Sequence, residues 1–94
     1  MGAVGMVWQD GDKEEWLVQV IPIARMAVGE EGTVHSVRAS GFLRERLLDL
    51  GVVAGTHIRC ERFGPSNASS IYEVRSTRLV IRHSDGAYVL AQVD

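Results

Sequence analysis

Gly41-Phe42-Leu43-Arg44-Glu45-Arg46-Leu47-Leu48-Asp49-Leu50-Gly51-Val52-Val53-Ala54-Gly55-Thr56 is the stretch on which the fold turns. Its first ten residues have the composition of a helix. Ser40 stands where an N-cap hydroxyl can accept a bond from a free backbone N–H, and Gly51 stands where a left-handed C′ residue ends a helix. Leu43, Leu47 and Leu50 recur at i, i+4 and i+7, which makes one apolar stripe. Arg44, Glu45, Arg46 and Asp49 fall largely off it, and the i, i+3 spacing of Arg46 and Asp49 allows them to pair. This predicts a helix over 41–50. Val52-Val53-Ala54-Gly55 then turns the chain into a strand over 56–63.

Outward from the helix the period changes to two. In the strand over 56–63, Ile58 and Cys60 share one face, while His57, Arg59 and Glu61 share the other. Gly64 to Ser70 is a polar loop, and short strands follow over 71–75 and 78–82, joined through Ser76-Thr77. Asp85-Gly86 in Ser84-Asp85-Gly86 is a hairpin signal leading to a last strand over 87–93, with Ala87, Val89, Ala91 and Val93 on one side. On the N-terminal side, Gly29-Glu30-Glu31-Gly32 reads as a turn before a strand over 33–38. Val34 and Val37 are both apolar there, which breaks period two and points to a bulge. Residues 14–23 also alternate, with Trp16, Val18 and Val20 opposite Leu17, Gln19 and Ile21. Pro22 ends that strand or places it at an edge. Residues 2–13 read as a loose lead-in. Five to six short strands with one inserted helix predict a mostly all-β protein, a small β-barrel.

The 94 residues make one domain. Hydrophobic residues at 46% and charged residues at 23% are globular proportions. The net charge of −2 is too small to draw nucleic acid or a membrane on charge alone. It is unevenly spread: residues 1–31 carry −4 and residues 32–94 carry +2. Nine of the ten cations are arginine, the side chain suited to planar, bidentate contacts with carboxylate or phosphate. A membrane span needs about 20 consecutive apolar residues, and no run approaches that. With no secretory pattern at the N-terminus, a cytoplasmic location is expected.

Catalytic chemistry is poorly represented. Cys60 falls on the apolar parity of its strand, and a buried cysteine is an inert small hydrophobe. Gly-x-Ser-x-Gly is absent, and no glycine run has the lysine of a phosphate-binding loop. Of the candidate metal ligands His35, His57, His83 and Cys60, the nearest pair, His57 and Cys60, points to opposite faces of one strand. A metal site would have to be assembled in space or shared between subunits. Neither an enzyme nor a resident cofactor is expected.

The run 41–56 resembles the central signature of the ferrous iron transport protein A (FeoA) family, a Leu-Arg-x-Arg-Leu-Leu-Asp-Met-Gly-Leu-x-Pro-Gly-Thr stretch. Val28-Gly29-Glu30-Glu31-Gly32-Thr33-Val34 is similar to the family's opening turn and strand, and Arg78-Leu79-Val80-Ile81-Arg82 to a late one. Ala54 stands where the family often has proline. Gly64 to Ser69 and Ser76-Thr77 also depart from its pattern. The resemblance covers residues 22–94 and leaves residues 1–21 as an N-terminal extension with an added strand.

The resemblance implies an SH3-like barrel and an accessory role in bacterial ferrous iron uptake beside the membrane GTPase transporter FeoB. The candidate partner-binding residues are Arg44, Arg46, Leu47 and Asp49. The alternative is a metal-responsive regulatory domain taking Fe(II) or Zn(II) and acting through another protein. Regulators of the diphtheria-toxin-repressor type carry a related SH3-like domain, and this chain has no helix-turn-helix for DNA. The extension, with Trp8 and Trp16 as anchors, adds a strand at a barrel edge in its own chain or in a weak homodimer.

Overall fold

The computed structural model describes residues 5–8 and 17–93. Seven antiparallel strands form one sheet: β1 (Gly5–Trp8), β2 (Leu17–Pro22), β3 (Glu31–Val37), β4 (His57–Phe63), β5 (Ser69–Val74), β6 (Thr77–Arg82) and β7 (Val89–Val93). One helix, α1 (Gly41–Asp49), separates β3 from β4, and a single helical turn, α2 (His83–Gly86), separates β6 from β7. The order across the sheet is β1-β2-β7-β3-β4-β5-β6, so the last strand lies between the second and third.

Alternation builds the core. Val34, Ile58, Cys60, Tyr72, Val74, Val89 and Ala91 are fully buried, while their neighbours along each strand face outward. The sheet curls, and Tyr72 marks where its far parts meet. The Tyr72 hydroxyl donates to the Ile23 carbonyl at 2.8 Å, joining β5 to the 3-10 turn Ile23–Arg25 after β2. Gly86 of α2 packs against the same turn, so closure comes from side chains and turns rather than a ladder between β6 and β2.

Helix α1 ends as its sequence requires. Gly51 takes φ 91°, its N–H bonds the Leu48 carbonyl at 3.0 Å, and the Val52 N–H bonds the Leu47 carbonyl at 2.9 Å. This is the paired Schellman closure, which needs a residue tolerant of positive φ. It drives Val52 into the core at 0% exposure, the place the apolar stripe assigned to Leu50. Leu50 is 42% exposed instead. Ser40 is the N-cap residue but makes no side-chain cap bond. The chain enters the helix through Gly41 at φ 63°, so the first helical amides are not presented to the Ser40 hydroxyl.

The bulge expected in β3 lies between Val34 and Ser36, against β7. Three other expectations change. Gly5–Trp8, read as lead-in, pairs with β2. Asp85-Gly86 is not a hairpin turn, because β6 and β7 are not neighbours. Gly86 is used for close approach: a Cβ there would lie 3.2 Å from Ile23 Cγ1 and 3.3 Å from the Ala24 nitrogen. Ala87, assigned to the last strand, instead ends α2. The strand proposed within residues 14–23 is described over Leu17–Pro22 and pairs within its own chain, with β1 and β7. Glu14 to Trp16, and the side chains of Trp8 and Trp16, lie outside the described residues.

The β5–β6 turn is Arg75-Ser76, one residue earlier than expected, with φ of 54° and 66°. Two non-glycine residues hold left-handed backbone, each costing roughly 1 kcal/mol. Replacing them with the Asn-Gly pair that such turns favour, Arg75→Asn with Ser76→Gly, should stabilise the fold by about 1 kcal/mol. Thermal melting checks this, and the expected rise is roughly 4–8 °C.

Candidate docking surface

Helix α1 rests on the barrel mainly through Leu47, which is 2% exposed, with Leu43 half-buried beside it. Between α1 and β6 lies a groove of about 320 Å³. Phe42, Leu43, Leu47 and Leu50 line it from the helix, and Val80 and Ile81 from the strand. Arg46, Arg82 and Asp85 contribute its polar lining. Phe42 is 91% exposed and Val80 is 63% exposed, so two large apolar side chains stand in water beside a groove of mixed polar and apolar lining.

The candidate residues separate into different environments. Arg46 is exposed and lines the groove, and it has no ion pair among the described residues. The pairing that its spacing to Asp49 allows is not made, and Asp49 faces solvent. Arg44 folds back, its Nη1 donating to the Val37 carbonyl at 3.2 Å. Leu47 forms part of the groove floor. Phe42 and Val80 escaped the sequence reading. Phe42 sits next to the leucine stripe, and its signal was an aromatic beside the charged face. Val80 has the outward parity of Arg78 and Arg82, which left it as an apolar residue on a polar row.

Elsewhere the polar groups serve the fold. On the outer sheet face Arg78 Nε donates to Glu61 Oε1 at 2.7 Å, and this contact raises the guanidinium pKa. Cys60 and His57 point to opposite sides, as expected: Cys60 is fully buried, and burial pushes its thiol pKa up. His57 Nε2 lies 2.9 Å from Glu31 Oε1 on the surface. Among the described residues no three His, Cys, Asp or Glu side chains converge on one point. Inside, Ser70 is 1% exposed and its Oγ lies 2.8 Å from His83 Nε2.

Burial pushes the Tyr72 hydroxyl up to about 12. An unfolded tyrosine ionises near 10. The effect on stability is therefore absent below pH 10, where both states keep the proton. Between pH 10 and 12 the unfolded state loses it first, and stability should fall by roughly 2 kcal/mol. Urea unfolding at stepped alkaline pH tests this, and Tyr72→Phe should flatten the decline.

The FeoA domain model matches residues 21–93. The chain belongs to the FeoA family. Among solved structures, an iron uptake regulatory protein (FeoA) superposes with a TM-score of 0.73 at 23% identity, covering 80% of this chain and 99% of that one. FeoA of Stenotrophomonas maltophilia in complex with zinc gives 0.64 at 26% identity, covering 72% and 85%. That structure is described as a prokaryotic SH3 domain protein and a candidate ferrous iron transport activating factor. A manganese-dependent transcriptional repressor shares the fold, with a TM-score of 0.72 at 10% identity over 80% of this chain and 42% of the repressor. No curated protein matches the chain. This FeoA-family chain thus has an SH3-like barrel fold. No helix among the described residues is long and apolar enough to cross a membrane.

Proposed function

We propose that the chain is a small accessory protein of bacterial ferrous iron uptake that docks on the cytoplasmic side of a FeoB-type GTPase transporter. Its docking surface is α1 with the groove beside it, and it has no catalytic role. The observation that carries this reading is Phe42, 91% exposed next to Arg46 on the rim of the groove, in a FeoA-family framework. Aromatic and arginine side chains that lose water on contact supply most of the binding energy at protein interfaces. Phe42 acts as the apolar anchor and Arg46 as the donor to a partner carboxylate. Arg44, steadied by the Val37 carbonyl, offers its remaining donors, and Asp49 offers a carboxylate to a basic group. Leu47 supports the groove from below.

Calorimetric titration against the transporter's cytoplasmic domain tests this. Phe42→Ala and Arg46→Ala should each weaken binding about tenfold, near 1.4 kcal/mol, with melting temperature unchanged. Unchanged affinity in both would sink the reading.

The metal-responsive alternative draws on the zinc complex of the S. maltophilia protein. In this chain it would begin from His57 and Glu31. Micromolar or tighter Fe(II) or Zn(II) binding that disappears in His57→Ala would favour it.

A further inference from the structure

Strand β6 ends the described sheet, with β5 as its one strand partner there. The hydrogen-bond parity shows which backbone groups its free edge presents. Val74 and Thr77 flank a two-residue turn, so they exchange both ladder bonds, and bonded pairs recur every second residue. Thr77, Leu79 and Ile81 therefore spend their N–H and C=O groups on β5. The His83 N–H continues this parity, bonding the Ala68 carbonyl at 2.9 Å. Arg78, Val80 and Arg82 point their N–H and C=O groups away from β5, and among the described residues their N–H groups have no backbone partner. This row of main-chain groups runs beside the groove between β6 and α1.

We infer that the groove takes an extended acidic segment of a partner protein, which adds to the sheet as a strand on the β6 edge. The proposal rests on the docking reading for its place on the molecule and specifies the chemistry of the partner. Main-chain bonds to Arg78, Val80 and Arg82 align the segment. Its alternate side chains enter the recess against Phe42 and Leu50. Its outward side chains lie beside Arg78, Val80 and Arg82, with Arg46 reaching from the helix. Arg82 pairs with Asp85 at 3.6 Å and Arg78 with Glu61 at 2.7 Å, so Arg46, without an ion pair among the described residues, is the cation left to select a carboxylate there. The same residues disfavour a second copy of this chain. Antiparallel self-pairing centred on Val80 would set Arg78 opposite Arg82, and like charges directly opposed destabilise a strand pair.

The test uses a random heptapeptide display library selected on the full chain, with affinities then measured by fluorescence polarisation. Enriched peptides should alternate apolar and acidic residues. Their binding should weaken at least tenfold in Val80→Pro, which removes an outward N–H that β5 does not use. Val80→Ala keeps the N–H and loses only the side-chain contact, so it should weaken binding by less than Val80→Pro does. Amide spectra of Val80→Pro confirm that the barrel is retained. If that variant fails to fold, a wild-type chain whose Val80 amide gains no hydrogen-exchange protection on peptide binding overturns the inference. So does a library that yields no binders, helical apolar spacing in the binders, or binding indifferent to Val80→Pro in the folded variant. A chain whose β6 edge is occupied by its own copy, seen as a dimer in sedimentation that Val80→Pro dissolves, also overturns it. Transporter binding that is lost in Arg46→Ala yet unaffected by Val80→Pro would remove strand addition and leave the docking reading standing. Edge-dependent peptide binding without transporter binding would do the reverse.

Discussion

Replacing Gly32 with valine should lower the melting temperature by about 12 °C or more. Gly32 pairs with Ile58 of β4 on one side and Val93 of β7 on the other. A Cβ at this position would run into the Gln92 carbonyl oxygen, and would lie 3.1 Å from the Gln92 carbonyl carbon and 3.2 Å from Val93 Cα. All three atoms are backbone, so no side chain can swing aside to make room. Relief requires prising β7 from β3, at a cost of about 3 kcal/mol, typical of overpacking at the severe end. Each kcal/mol is worth roughly 4–8 °C in a domain of this size. The requirement here is for space rather than unusual dihedral angles, so alanine should act in the same direction with smaller effect. A valine variant that melts with the parent would show that the two strands separate freely at this point.

Leu47→Ala is the second large effect, expected at about 3 kcal/mol. A helix of nine residues has no stability of its own in water and depends on the face it buries. Leu47 is the buried residue of that helix and part of the hydrophobic core, so its loss leaves a void where the helix meets the barrel interior. Leu48, 37% exposed one residue later, is the control, and its alanine variant should fall within about 0.5 kcal/mol of the parent. Chemical denaturation measures both, and hydrogen exchange should show α1 amides opening faster in Leu47→Ala alone. A Leu47→Ala penalty below about 1 kcal/mol would mean that the helix is held some other way. The substitution also separates roles within the candidate site: Leu47 acts on binding through the groove's shape, whereas Arg46 and Phe42 act by contact.

Local chemistry made much of the fold legible. Gly51 announced the helix end, the Val34/Val37 spacing announced the bulge, and the parity of Ile58 and Cys60 placed the cysteine in the core. What escaped depended on partners distant in sequence. Asp85-Gly86 has the composition of a hairpin turn, yet its glycine is required by the approach of Ile23 and Ala24, a constraint written on neither side alone. Arg75-Ser76 forms the tight turn without glycine or asparagine to mark it, so the turn was read one residue late, at Ser76-Thr77. The groove is the clearest case. Arg46 could be chosen from the helix by itself, but its neighbours Val80 and Arg82 arrive only when the sheet curls and sets β6 beside α1. A periodicity within one element cannot report a surface shared by two. The leucine stripe misplaced Leu50 for a related reason: the Schellman closure turns Val52 inward, and the core takes that side chain instead.

Docking through α1 and its groove is tested most directly by calorimetric titration of the full chain into the cytoplasmic domain of a FeoB-type transporter, at low and high salt, with and without GTP and Fe(II). The expected result is saturable binding that weakens with salt, as an arginine-to-carboxylate contact requires, and that falls by about two orders of magnitude when Phe42 and Arg46 are both replaced by alanine. Absence of binding under every condition, or equal binding by the doubly substituted chain, would contradict it.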